Sequence, residues 1–315
     1  MTPLEIRAAV IDDTHAISRL FCERVPVWQR LNAAGHVEEP PYEALSVYER
    51  WLHGGPWMSV ETGAMFLSHL ITRNIVSLVA QQGDHIVGYA EAYPGEEPAP
   101  YDDNLHIAQL IGQSDTVKDA LLDNLIQLAA QNNQRLTVSF SSYSTDEAAY
   151  YQNRGLTLLE QVQHYTLRAA SGQSFYRATE HPPSHYDQIR GWYMTIGRQQ
   201  SARQHWVNLW PRLWEAIPEI TARKTHRLHF SAAGQEAFVC CQQQLYTPRN
   251  ADIYCWSLKP LSSQLLIAIR DWAYRADYRT LVFAVPERTA RLLGSDCETS
   301  PYRQDIYTLL PDNQS

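Results

Sequence analysis

The feature that most constrains this chain is an order of β-rich runs and helical stretches that is traversed once and then partly repeated. In the first half, Glu5 to Ala9 reads as a strand. Asp12-Asp13-Thr14 reads as a helix start ahead of Ile17, Leu20 and Phe21. A helical region follows from about Tyr42 to Leu52, broken by His53-Gly54-Gly55-Pro56, and another runs from about Glu61 to Leu70. The period then changes. Ile75 to Ala80 and Ile86 to Ala92 are β-rich runs on either side of Gly83, and Leu105 to Ile111 is a third. Asp115 to Asn132 carries Val117, Leu121, Leu125 and Leu128 on one helical face. Leu136 to Phe140 predicts a strand, Thr145 to Arg154 a helix ended by Gly155, and Gln163 to Arg168 a last strand.

The stretch from Ala169 to Ser184 is polar, holds Gly172, Pro182 and Pro183, and reads as a linker. Beyond it the order partly recurs. Helices are expected around Tyr186 to Ile196 and Ala202 to Ile217, then strands at Thr225 to Phe230, Ala237 to Gln244 and Asp252 to Leu258. A helix from Ser262 to Ala276, a strand from Thr280 to Val285, a helix from Pro286 to Leu293 and an extended run from Gln304 to Leu310 complete it. A chain of 315 residues exceeds the usual size of one domain. The expected fold class is α/β with a mixed sheet. It comprises two tandem domains of one topology, residues 1–169 and 185–315 joined by a linker at 170–184. Each is a mostly antiparallel central sheet flanked by helices.

Composition narrows the function. With 44% hydrophobic and 19% charged residues the chain is ordinary for a soluble protein, and no window approaches the ~18 uninterrupted apolar residues of a membrane span. Met1 to Val10 lacks the pattern of a signal peptide, so a cytoplasmic location is expected. The five cysteines, Cys22, Cys240, Cys241, Cys255 and Cys297, include no C-x-x-C pair and read as reduced, mostly buried thiols. Through Ala170 there are 10 basic and 21 acidic residues, against 16 and 13 in the remainder. An acidic first half argues against nucleic acid and favours an amine-bearing partner, with solvated surface charge as the alternative.

The first half resembles the GNAT superfamily of N-acetyltransferases over roughly Leu4 to Arg168. The likeness rests on strand order, on the strand-loop-helix unit from Leu105 to Leu128, and on the segment EAAYYQNRGL at Glu147 to Leu156. Ala148, Tyr150, Tyr151, Gly155 and Leu156 fall on the family's spacing of alanine, aromatic-tyrosine pair and glycine followed by an apolar residue. The resemblance implies an acetyl-CoA-dependent N-acetyltransferase acting on a small amine. In such chemistry the attacking amine must be neutral, which a base assists, and the departing thiolate needs a proton, which a phenol can supply. The resemblance makes Tyr151 that acid and Glu91 and His106 the candidate bases. Alternatively, Tyr150 and Tyr151 form an aromatic pair and the two strand residues are merely solvated.

Acetyl-CoA, as co-substrate, is implied along Leu110, Ile111, Gln113, Ser114, Asp115, Thr116, Val117 and Lys118, with Thr145 beside it. The family's glycine-containing loop opens a helix whose backbone N–H groups hold the pyrophosphate. Here Thr116 and Lys118 stand at the two small-residue positions and Asp115 adds negative charge. A second reading follows, a non-catalytic ligand- or partner-binding protein that has lost coenzyme binding. The second half resembles the family more faintly. Leu258-Lys259-Pro260-Leu261-Ser262 has no glycine-rich loop, and Ala290 takes the tyrosine position, so a structural or substrate-shaping role is expected.

Four further features admit two readings each. Trp206, Trp210 and Trp214 recur at helical spacing, as core or as a stacking wall, with Pro211 signalling a kink. Trp57 lies in a turn or lines an acceptor groove. Glu91, Glu96, Glu97, Asp102 and Asp103 form a solvated loop or attract an amine. His226 and His229, three apart in a strand, face opposite sides, and no cluster has the ligand count of a zinc site, so no metal is expected. Oligomeric state is open.

Overall fold

The computed structural model describes residues 2–172, 175–181 and 185–311. Its strands run β1 (Leu4–Ala8), β2 (Arg30–Leu31), β3 (Val37–Glu38), β4 (Val76–Gln82), β5 (His85–Glu96), β6 (Asp103–Gly112), β7 (Arg135–Ser141) and β8 (Thr157–Arg168) in the first half. The second half adds β9 (Tyr176–Glu180), β10 (Tyr193–Ile196), β11 (Thr225–Ala232), β12 (Gln235–Gln243), β13 (Asn250–Ser257), β14 (Thr280–Pro286) and β15 (Glu298–Leu309). The helices are α1 (Thr14–Cys22), α2 (Val47–Trp51), α3 (Val60–Thr72), α4 (Asp115–Gln131), α5 (Thr145–Asn153), α6 (Ala202–Leu209), α7 (Pro218–Thr221), α8 (Ser263–Arg275) and α9 (Glu287–Ala290). Local chemistry sets several ends. Ser46 and Glu49 form a reciprocal capping box on α2, and Ser59, Ser201 and Ser262 each accept the N–H three residues on. Gly155, at φ +86°, supplies the left-handed residue that ends α5.

The chain forms two compact units, residues 1–92, 107–128 and 213–221 in one and residues 93–106, 129–212 and 222–315 in the other. In the first, β1, β4 and β5 pair antiparallel in that order. Its core joins Phe21 of α1, Phe66 of α3 and Tyr89 of β5 around Trp57, with ring centroids 5.0–5.7 Å from the indole. Trp57 is buried there, which assigns it to packing rather than to a groove.

The second unit is organised around exchanged terminal strands. β8 ends the first half of the sequence, yet both its partners, β14 and β15, come from the second half. β15 ends the chain and lies between β7 and β8, antiparallel to both. Val162 of β8, Ala284 of β14 and Ile306 of β15 are buried together with Tyr101 at this junction. Further along, β12 serves two cores through its period of two. Ala237, Val239 and Cys241 pack with α8 residues Leu265, Leu266 and Ile269, while Phe238 and Cys240 pack with Trp206, Trp210 and Trp256 on the other face.

Several expectations are corrected. Tyr186 to Ile196 is a short 3-10 turn followed by β10 rather than a helix, and α6 stops at Leu209 before Pro211. Trp206 and Trp210 stack at 4.2 Å in the second unit, whereas Trp214 lies beyond the helix against Trp51 and Phe66 in the first. The three tryptophans therefore do not share a face. The stretch read as linker carries strand β9, docked on β11 and tied to α8. Asp271 accepts from Gly172 N–H and from the Tyr176 hydroxyl. Pro182, Pro183 and Ser184 lie outside the described residues.

Residues 1–169 expressed alone lack both β14 and β15, leaving β7 and β8 with open edges. That fragment is expected to show no cooperative thermal transition by circular dichroism. In the full chain, Ile306→Ala should cost about 2–4 kcal/mol of unfolding free energy. A monomeric fragment that melts cooperatively would contradict the exchange as a folding requirement.

Candidate functional site

In the first unit, β6 leads through Gly112, Gln113 and Ser114 into α4. Two glycines let this loop pack close. A Cβ at Gly88 of β5 would lie 2.6 Å from Val117 and 2.9 Å from the Ile111 carbonyl, and one at Gly112 would lie 2.8 Å from the Lys118 nitrogen. Neither glycine was singled out from the sequence, where attention fell on the positions after Gln113. Gln113 N–H donates to the Val87 carbonyl at 2.9 Å, extending the strand pairing to the edge of the loop. The Ser114 hydroxyl then accepts from Val117 N–H at 3.4 Å and its carbonyl from Lys118 N–H at 3.0 Å.

Gln113, Ser114, Asp115 and Thr116 are exposed, Leu110 and Lys118 are half-buried, and Ile111 and Val117 are buried. The amides of Asp115 and Thr116, first in a 17-residue helix, have no carbonyl one turn back to bond. A pyrophosphate therefore fits this loop through the helix start, with the Asp115 carboxylate opposing it.

Tyr151 lies in the second unit, buried on α5. Its ring stacks on Phe140 of β7 at 5.6 Å, and Phe140 meets Tyr307 of the exchanged β15 at 5.0 Å. Tyr150 packs edge-on to it at 5.1 Å. Burial, with a smaller push from Glu147, raises the Tyr151 phenol well above its ordinary value, so it stays protonated at neutral pH. Thr145, first residue of α5, is exposed. Glu91 is buried in the first unit, where the Tyr89 hydroxyl donates to it at 3.2 Å.

His106 is buried on β6 in the second unit, with Nδ1 3.0 Å from Thr137 Oγ1 of β7 and Nε2 without a partner. Beside it stands a network that joins segments far apart in sequence. Glu97 and Arg198 form a buried ion pair, and the Arg198 guanidinium sits 3.7 Å above the Tyr101 ring. The Tyr101 hydroxyl donates to Glu160, which Arg288 holds at 2.8 Å. His205 of α6 is buried close by.

The acidic loop is thus already partnered. Besides the Glu97 pair, Glu96 meets Arg190 at 3.1 Å and Asp102 meets Arg135 at 2.6 Å. The reading of a free amine-attracting patch is corrected accordingly. His226 packs on Trp272 and His229 on Phe238, on opposite faces of β11. Among the described residues no three His, Cys, Asp or Glu gather as metal ligands.

The second copy is built differently. Parallel strands β13 and β14 pair only from Asn250–Thr280 to Asp252–Val282. Beyond that point β10 fills the wedge. It pairs with β13 through Met194 and Ile196, and Gly197 N–H donates to the Ala284 carbonyl at 2.8 Å. The loop before α8 is tied down by Gln235, whose amide donates to the Lys259 and Pro260 carbonyls and accepts from Ser262. An extended ligand has no open edge to pair with there.

Burial, with smaller contributions from the Arg198 charge, lowers both His106 and His205 to about 3. Each binds a proton more readily unfolded, near pH 6.5, than folded. Their contribution is therefore complete above about pH 6.5 and is lost as pH falls toward about 3. Denaturant titrations should show stability falling by a few kcal/mol across that window. In His106→Gln the slope should be shallower, and an unchanged slope in that variant would contradict its neutral burial.

No protein-family model matches this chain, and no curated protein matches it in sequence. Solved structures do. A GCN5-related N-acetyltransferase from Anabaena variabilis aligns over 98% of this chain and 73% of its own, at TM-score 0.63 and 10% identity. A GCN5-related N-acetyltransferase from Kribbella flavida aligns over 98% and 72%, at TM-score 0.55 and 12% identity. At such identities the likeness speaks for architecture, and with the element order above it gives one conclusion. The chain has the GCN5-related N-acetyltransferase fold in two tandem copies, each a mixed sheet flanked by helices.

Proposed function

We propose that this chain is an acetyl-CoA-dependent N-acetyltransferase acting on a small amine, with its chemistry in the first copy. The observation that carries the proposal is the asymmetry between the copies. The first keeps a glycine-packed loop running into the exposed start of a long helix and a buried, protonated tyrosine on α5. The second closes the corresponding wedge with its own β10. The coenzyme would be held by the Ser114–Thr116 backbone, with Lys118 nearby, and supplies the acyl thioester when bound.

The chain's own residues account for the proton traffic. A phenol kept protonated at neutral pH suits Tyr151 to the role of acid toward a departing thiolate. Its position depends on Phe140 and, through it, on Tyr307 of the exchanged strand. His106, lowered to about 3 by burial, is a weak base, which argues against it as the group that carries a proton away. Five cysteines without a disulfide support a cytoplasmic setting.

A second reading, binding without catalysis, draws on Ser114. Its hydroxyl and carbonyl occupy the Val117 and Lys118 amides that a phosphate would otherwise use.

Calorimetric titration with acetyl-CoA separates the two. Acetyl-CoA should bind with a stoichiometry of about one per chain, since only one copy keeps the loop open. The Asp115 carboxylate offsets the helix dipole, so Asp115→Asn should tighten binding roughly two- to fivefold, the equivalent of about 0.5–1 kcal/mol. Tyr151→Phe should leave binding intact and lower kcat about 10²-fold or more. No heat of binding in wild type or Asp115→Asn would leave the non-catalytic reading.

A further inference from the structure

Four buried polar atoms on β6 and α6 of the second unit stand without a hydrogen-bond partner. His106 Nε2, Gln204 Oε1, His205 Nε2 and Asn208 Oδ1 are all shielded from solvent and have no hydrogen-bond partner. Buried polar atoms are almost always paired, so four such atoms in one region mark a place where something else supplies the partners.

Their convergence follows from the hairpin and from one helix face. Strands β5 and β6 are joined by a short loop whose closing bond runs from Glu97 N–H to the Asp102 carbonyl, and Gly95 lies against Asn104. Counted from that closing bond, Tyr93 of β5 and His106 of β6 lie equally far along the hairpin. Asn208 of α6 reaches this pair, its amide nitrogen donating to the Tyr93 hydroxyl at 3.4 Å. Gln204 is one turn before Asn208, and His205 projects beside them, whereas Trp206 and Trp210 take the opposite side of the helix. His106 feels the charge of His205, and both feel that of Arg198.

The donor and acceptor inventory selects the ligand. Gln204 Oε1 and Asn208 Oδ1 are acceptors. His106 Nδ1 lies 3.0 Å from Thr137 Oγ1, and in the tautomer that donates there Nε2 offers a lone pair as well. A group that satisfies three acceptors must bring several N–H bonds. The charges nearby are Arg198, which Glu97 neutralises, and Arg203 of α6, which donates to the Pro94 carbonyl at 2.8 Å. Glu91, two positions along β5 from Tyr93, accepts from the Tyr89 hydroxyl, and the other titratable neighbours are the tyrosines Tyr93, Tyr101 and Tyr254. The carboxylate of Glu97 is already paired with Arg198, and the two guanidinium groups disfavour a further cation.

We propose that His106, Gln204, His205 and Asn208 form the amino-group subsite of the acceptor and take a primary amine in its neutral form. This rests on the N-acetyltransferase reading and adds to it that the second half of the chain, through α6, selects the acceptor. Neutral binding also delivers the nucleophile in its reactive state, with no strong base required.

The test uses the full chain with ¹⁵N-labelled histidine and ethylamine as probe. Ethylamine should shift two sets of ring nitrogens, which His106→Gln and His205→Gln remove one at a time. Apparent affinity should rise about tenfold per pH unit between pH 7 and 9, tracking the neutral fraction. The double variant Gln204→Leu/Asn208→Leu should weaken binding at least tenfold without loss of the thermal transition. Should it fail to fold, Asn208→Asp takes its place. The added carboxylate should then favour ethylammonium and flatten the pH slope.

Unshifted histidine rings, or wild-type binding in the leucine double variant, would overturn the proposal. An acetyl-CoA titration on the same samples keeps the two ideas apart. Coenzyme binding with silent histidines removes only the subsite. Shifted histidines without coenzyme binding support the subsite and remove the transferase reading.

Discussion

The antiparallel contact between β8 and β15 is the interaction on which the rest of the second unit depends. Each strand completes its half of the sequence, and each is paired on its outer side with a strand of the other half, β14 for β8 and β7 for β15. No edge is left open at the centre of this sheet, and Val162, Ala284 and Ile306 are buried there with the ring of Tyr101. The exchange also reaches the candidate acid. Tyr307 of β15 supports Phe140, which in turn supports Tyr151. A chain built this way cannot treat its second copy as a spare domain, because that copy furnishes β15, on which Phe140 and Tyr151 rest.

The two copies have diverged in opposite directions from one plan. In the first, small residues at Gly88 and Gly112 preserve the close packing of loop, strand and helix start. In the second, β10 occupies the wedge between β13 and β14, and Gln235 ties the loop ahead of α8. The second copy's α6, by contrast, presents Gln204, His205 and Asn208 toward the hairpin that carries His106.

Much of the architecture was legible in local pattern. The strands from β4 to β8 and from β11 to β14 follow β-rich runs, and α4 and α8 follow apolar periodicity with serine or acidic starts. What local pattern does not encode is which strand pairs with which. The exchange of β8 and β15 joins residues more than a hundred positions apart. Tyr186 to Ile196 has no clean period, and the four residues after Trp192 are extended where β13 offers an edge. The Glu97–Arg198 pair was invisible for the same reason. Glu97 sits in an acidic loop that looks solvated until its distant arginine is placed beside it. Gly88 carried a usable signal, since a glycine within the apolar run Ile86 to Ala92 marks close backbone approach, and Gly112 stands directly after the run that ends at Ile111.

The central claim is that exchange of β8 and β15 makes the second unit, drawn from both halves of the sequence, fold as one cooperative unit. Native-state hydrogen exchange on the intact chain tests it most directly. The amides of β7, β8, β14 and β15 should share one opening free energy and respond together to added denaturant. Two separate opening transitions, one for β7 and β8 and another for β14 and β15, would contradict the claim.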